Sequence, residues 1–237
     1  MLKRAVLILV ALGHFLTPAD NARAGEGAAV VVELFTSQGC SSCPPADAYL
    51  RDLAAREDVV ALAFHVDYWD YIGWKDSFGD AAHTARQRAY ARAAGRRMVY
   101  TPQMIVNGAA DAVGNRAAEV DALIDAAADQ PRGVTLDLTR RGDRVKVVAR
   151  ANGDVSVPLS VRLMRYRPEA TVRIDRGENA GRTLDYVNIV HGLRMLEPAW
   201  RPAEPFETLV PVTGPDPVAV IIQREGHGPV EAVARID

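Results

Sequence analysis

The feature that most limits what this chain can fold into is the stretch from Ala29 to Phe35, AVVVELF, together with the cysteine pair just beyond it. A continuous β-branched and apolar run with one carboxylate is expected of a strand covered on both faces, the kind found in a sheet flanked by helices. The run breaks at Thr36-Ser37-Gln38-Gly39. Cys40-Ser41-Ser42-Cys43-Pro44-Pro45 then opens a segment whose apolar positions Ala46, Tyr49, Leu50 and Leu53 fall on one helix face. Prolines are tolerated in a first helical turn, where the missing N–H has no intrahelical partner anyway. A second apolar strand, Val59 to Val66, completes a βαβ unit with parallel strands.

Beyond it the spacing predicts an aromatic loop, Tyr68-Trp69-Asp70-Tyr71-Ile72-Gly73-Trp74, and a helix from about Asp80 to Ala94. Gln103 to Val106 leads into Asn107-Gly108, a strong hairpin signal, and a short returning strand, Ala109 to Val113. A last helix over Arg116 to Asp129 gives the order β-α-β-α-β-β-α. At Pro131-Arg132-Gly133 the pattern changes to short alternating segments: Val134 to Leu138, Arg144 to Arg150, Leu159 to Tyr166, Tyr186 to Leu193, Pro205 to Val210, Val218 to Gln223 and Val230 to Arg235. The expected fold is an α/β domain over 28–130, with a mixed central sheet flanked by helices, followed by an all-β, sandwich-like domain over 132–237.

Ahead of all this, Lys3 and Arg4 precede a short apolar run, and Ala22-Arg23-Ala24 supplies a small-residue cut site. The segment 1–24 reads as a secretory signal peptide, with an uncleaved anchor as the alternative. The expected location is periplasmic or secreted. Losing Lys3, Arg4 and Arg23 along with Asp20 deepens the acid excess already present in a chain of net charge -2. That balance, with no basic cluster, argues against nucleic acid as partner, and no later segment is apolar enough to span a membrane.

The chain has two cysteines, both in the exported part. Such a pair closes with itself or with a visitor. A structural staple stabilises chiefly by closing a long loop in the unfolded chain, which this pair does not. Cys40, just before a helix, is the expected nucleophile, because a helix N-terminus favours thiolate over thiol. Cys43, one turn on, is placed to attack the mixed disulfide and release the partner. The redox reading needs the Cys40 sulfur to be ionised and reachable from solvent.

On the Cys-x-x-Cys at this strand-to-helix junction, and on Thr101-Pro102 before the strand Gln103 to Val106, the region from about Ala29 to Asp129 resembles the thioredoxin superfamily. The resemblance implies a cis Pro102 facing the cysteines and a Thr101 backbone that holds a bound peptide strand. The strings GCSSCPPAD, HVDYWDYIGW and GENAGRTL further resemble a bacterial family of secreted proteins known only by a domain-of-unknown-function label. The sequence departs from thioredoxin in Ser41-Ser42, in lacking a Trp before Cys40, and in the insertion around Trp69 to Ser77. By the same resemblance Glu33 is comparable to the buried acid that shuttles a proton for the second cysteine. The alternative is a carboxylate bonded to a neighbouring helix.

Trp69 and Tyr71, with Tyr68 and Trp74, could wall a substrate site or simply cover the core. Glu178 to Arg182 reads as a partner-binding loop or a plain turn. His65 and Asp67 suggest a rival use of the two sulfurs, copper or zinc carriage. The expected function is thiol–disulfide exchange by Cys40 and Cys43 with a redox partner protein or small thiol, Thr101 and Pro102 positioning a peptide. It requires no cofactor and no metal. A binding or adaptor module with a closed pair is the other rival.

Overall fold

Residues of β-branched and apolar type pair at the centre of the molecule. β2 (Val30–Thr36) and β3 (Val59–His65) are buried at all seven positions each and run parallel, from Val30 opposite Val59 to Thr36 opposite His65. α1 (Pro44–Ala54) makes the crossover between them, starting on two prolines with Cys43 as its N-cap residue. This computed structural model describes residues 21–23, 29–153 and 155–236, the first three by backbone alone. The expected signal segment lies outside the described residues except for Asn21–Arg23, which form β1.

The remaining elements of the first half follow the sequence pattern. They are α2 (Ala81–Ala93), β4 (Gln103–Val106), β5 (Ala110–Val113) and α3 (Ala117–Ala128). β4 lies antiparallel to the other edge of β2, and β5 pairs with β4 across the Asn107-Gly108 turn. The pleat of β2 then divides two cores. Val30, Val32 and Leu34 pack with Leu50 and Leu53 of α1 and with Val120 and Ile124 of α3. Val31 and Phe35 face the other way, toward Phe64, Tyr90 and Ile221. Each such buried large side chain stabilises the fold by roughly 1.5–3 kcal/mol.

All seven strands expected after residue 131 are present: β6 (Val134–Arg141), β7 (Arg144–Ala151), β8 (Leu159–Arg173), β9 (Thr183–Trp200), β10 (Phe206–Pro211), β11 (Val218–Arg224) and β12 (Val230–Ile236). They divide between two sheets. One is a mixed eight-stranded sheet in the order β12-β11-β8-β9-β3-β2-β4-β5, the other an antiparallel sheet in the order β1-β6-β7-β10. A third core lies between them, with Leu136 and Val147 against Val161, Val220 and Ala234. The large sheet therefore contains strands from both sides of residue 131. β9 joins it by running parallel to β3 at Ala63 opposite Ile189, where Asn188 Nδ2 also donates to the Ala61 carbonyl at 2.9 Å.

β8 and β9 form a long hairpin, paired from Leu159 opposite Trp200 to Arg173 opposite Thr183. Its turn, 174–182, projects to the end of β2 and β3 where the cysteines lie. Among the described residues no helix is long and apolar enough to cross a membrane.

Candidate functional site

Cys40 and Cys43 are joined in a disulfide with Cα atoms 5.4 Å apart. The chain leaves β2 at Thr36 and makes two tight turns, Cys40 N–H to Ser37 O and Cys43 N–H to Cys40 O, before α1 begins. Cys43 therefore caps the helix, with helical backbone angles of φ -78 and ψ -35. Cys40 sits in the turn before it, one turn further from the helix mouth than expected. Its sulfur lies 3.4 Å from Ser42 Oγ. Ser41 and Ser42 face solvent, but Cys40 is 1% exposed and Cys43 0%. The expected open access to Cys40 is corrected accordingly. The 174–182 turn lies against this segment, with Asn179 Nδ2 donating to Cys40 O at 3.0 Å and to Gln38 O at 2.9 Å.

Three chain segments expected from sequence converge here. The Thr101–Pro102 peptide bond is cis. Pro102 is buried, and with Leu34 and Ala46 of α1 it closes on Gly114. Trp69 Nε1 donates to Thr101 Oγ1 at 2.8 Å. Trp69 also lies against Gly39, so close that a Cβ there would sit 3.1 Å from the Trp69 Cβ. Tyr71 stacks beside Trp69 with ring centroids 6.5 Å apart and is 81% exposed. Trp69 thus bridges the cysteine turn to Thr101, while Tyr71 is open to solvent. Tyr68 and Trp74 are turned to other partners, Gln87 Oε1 and Gln38 Oε1.

Glu33 is elsewhere. It belongs to the odd-numbered face of β2, away from α1, where its two oxygens take Arg86 Nε at 2.5 Å and Arg86 Nη2 at 2.8 Å, and Tyr90 Oη at 2.6 Å. Placement of Glu33 as the acid beside the second cysteine is corrected: its partners come from the neighbouring helix α2.

The acid on the cysteine side is Asp47, which in sequence looks like an ordinary polar helix position. Residues four apart on a helix face one another at about 5–6 Å between Cβ atoms, and Asp47 follows Cys43 by four. Its backbone N–H donates to Cys43 O at 3.1 Å. Thr36 Oγ1 donates to Asp47 Oδ1 at 2.7 Å, while Oδ2 is buried without a partner among the described residues. Burial pushes the Asp47 carboxyl up to about 7; His65 and Thr36 offset part of that rise, and Asp76 adds to it. The spacing from Cys43 is the signal that the sequence offers for it.

His65 is wholly buried, its Nδ1 2.8 Å from Asp76 Oδ2 and its Nε2 without a partner among the described residues. Burial would raise the Asp76 carboxyl, but His65 and the N–H groups of Gln38 and Phe78 hold it below its ordinary range. The Tyr186 ring lies 4.9 Å from that of His65. Burial first, then the charges of Asp47 and Asp76, drive its hydroxyl pKa up. Asp67 accepts from Thr84 Oγ1. Among the described residues no group of three or more His, Cys, Asp or Glu is arranged to hold a metal. What the arrangement offers chemically is a disulfide, a carboxyl able to exchange a proton near neutral pH, and a polar pair beneath it.

A family model described as "Protein of unknown function (DUF1223)" matches residues 31–223. A crystal structure of a protein from Agrobacterium tumefaciens, a structural genomics target, is similar over 90% of this chain and 96% of that one, with 32% identity and a TM-score of 0.76. Comparison with curated proteins gives no match. Since the family model spans well over half of the sequence, the chain belongs to the DUF1223 family.

Proposed function

We propose that this protein is an exported thiol–disulfide oxidoreductase that exchanges through Cys40 and Cys43. In this reading 28–130 is a thioredoxin-like unit and 132–237 a β unit that shares its sheet. The observation that carries the proposal is the disulfide, between residues three apart. So short a loop restricts little of the unfolded chain, so stability is a weak reason for the bond and chemistry a better one. A closed pair also suits an oxidising compartment, as the signal-like N-terminus does.

A partner thiolate attacks Cys40 Sγ, forms a mixed disulfide with it and displaces Cys43 Sγ as thiolate. Asp47, protonated below about pH 7, gives Cys43 its proton. A second partner thiolate then attacks the partner sulfur and releases Cys40. Two electrons have passed, two partner thiols have become one disulfide, and the Cys40 and Cys43 thiols are both free. The reverse sequence reduces a partner disulfide. Because the chain has two cysteines, the electrons come from or go to another protein or a small thiol. Thr101, Trp69 and Tyr71 would supply the surface where a peptide lies, with Pro102 buried next to Thr101.

The burial of Cys40 favours a second reading, an adaptor whose disulfide stays closed. Equilibration in glutathione buffers, with thiols counted after each, separates the two. An oxidoreductase opens and closes within the accessible range, and Cys43→Ala accumulates a mixed disulfide that Cys40→Ala does not. A pair that remains closed even in excess dithiothreitol without denaturant, or a Cys43→Ala variant that traps nothing, defeats the redox reading.

A further inference from the structure

The 174–182 turn is rooted at Ile174, which is fully buried, and lies against Trp74 at Gly177, but it reaches the cysteine turn through polar groups. Asn179 is 1% exposed although the residues on either side of it are far more open to solvent. Its Nδ2 serves the carbonyls of Gln38 and Cys40, and its Oδ1 accepts from Arg182 Nη1 at 3.0 Å. Beside it, the Ser41 N–H donates to Glu178 Oε2 at 3.3 Å. Side-chain hydrogen bonds of this kind are individually weak, and each group finds a replacement in water once the turn lifts. The tip also ends a two-stranded ribbon that pairs with itself, Ile174 N–H to Arg182 O at 2.8 Å and Gly181 N–H to Ile174 O at 2.7 Å. It can therefore shift without unpairing the sheet. The contacts of the tip, from Glu178 and Asn179, describe a latch on a turn whose root is held at Ile174. They differ in kind from the apolar packing that fixes α1.

On the reading of Cys40–Cys43 as an exchanging pair, we propose that the 174–182 turn is a displaceable cover, latched by Asn179, that keeps thiols from Cys40 until it moves. The attack geometry gives the reason. A thiolate must approach the Cys40 sulfur along the S–S axis, and a residue with 1% of its surface open leaves no room for it. Exchange then occurs only in the open fraction, so the observed rate is the intrinsic rate multiplied by that fraction. The cover lies over the turn rather than in the bond, so it slows opening and closing alike.

The test uses the full oxidised protein with dithiothreitol as probe, under native conditions at one pH, with maleimide quenching and counting of thiols. Asn179→Ala removes the three hydrogen bonds of that side chain, and its disulfide should open at least about tenfold faster than in the wild type. Glu178→Gln, a conservative change that leaves the fold intact, should give a smaller acceleration in the same direction. Closure of the reduced pair by oxidised glutathione should speed up by the same factor, leaving the equilibrium constant within about twofold of the wild type. Wild-type rates in both variants overturn the cover, as does a shifted equilibrium constant with unchanged rates. Unaccelerated variants of a protein that exchanges readily defeat the cover and leave the redox reading standing. Accelerated variants with no trapped partner in Cys43→Ala do the reverse.

Discussion

The Thr36 hydroxyl donates to Asp47 Oδ1 at 2.7 Å, while the second oxygen of that carboxyl is buried without a partner among the described residues. Burial lifts the carboxyl from 3.8 to about 7. A carboxyl whose folded pKa is raised stabilises the fold fully below the unfolded value, and that contribution is lost as pH rises through the folded one. The window here therefore runs from 3.8 to about 7. An asparagine at this position cannot titrate, so Asp47→Asn should gain on the wild type by about 1.4 kcal/mol per pH unit across that window. Urea unfolding of the oxidised proteins at about pH 4.5, 6 and 8 measures it. A constant difference at all three would refute the assignment.

Glu33 and Arg86 are 0% and 1% exposed at their side chains. Glu33→Gln leaves the guanidinium buried with its charge unanswered, which costs about 3–5 kcal/mol. Exchange at Cys40 should stay within about twofold of the wild type, because the pair lies on the opposite face of β2. Denaturant titration together with dithiothreitol kinetics checks both halves. A stable variant with markedly slower exchange would contradict the placement.

Gly108 has φ +67, and a Cβ there would lie 2.6 Å from Gly228 O and 2.7 Å from Gln223 Nε2. Gly108→Val combines backbone strain with a clash against main chain, each costing about 1–3 kcal/mol. The thermal midpoint should fall by at least about 4 °C, at roughly 2–4 °C per kcal/mol for a chain of this size. Circular dichroism reads the shift, and an unchanged midpoint would mean that this turn is free to move.

Trp69 touches the site through its indole N–H, which reaches Thr101 Oγ1. Trp69→Phe keeps the ring beside Tyr71 and removes that bond, at a cost of about 1 kcal/mol. Trapping of a peptide thiol by Cys43→Ala should weaken in the double variant, while small-thiol kinetics hold. Equal trapping would show that Trp69 only covers the core.

Local pattern carries the elements of this fold well. The unbroken apolar runs of β2 and β3 announce buried parallel strands, and the alternation after Pro131 locates all seven later strands. Pairing between distant segments has no local signature, so nothing in Tyr186 to Leu193 tells that β9 settles against β3. Within the site, Cys40, Cys43, Thr101, Pro102 and Trp69 come together. Glu33 is placed correctly only by a parity argument: Val32 and Leu34 face α1, so the residue between them cannot. Asp47 and Asn179 are polar residues in ordinary polar positions, and their burial comes from partners far along the chain.

Because β3 pairs with β2 at all seven of its residues and meets β9 on its other side at Ala63 opposite Ile189, it lies inside the sheet. A fragment ending near residue 130 would leave that strand as a bare rim of unpaired N–H and C=O groups, and such a rim recruits strands from other molecules. The strands contributed by the later half of the sequence thus keep β3 inside the sheet rather than at its rim.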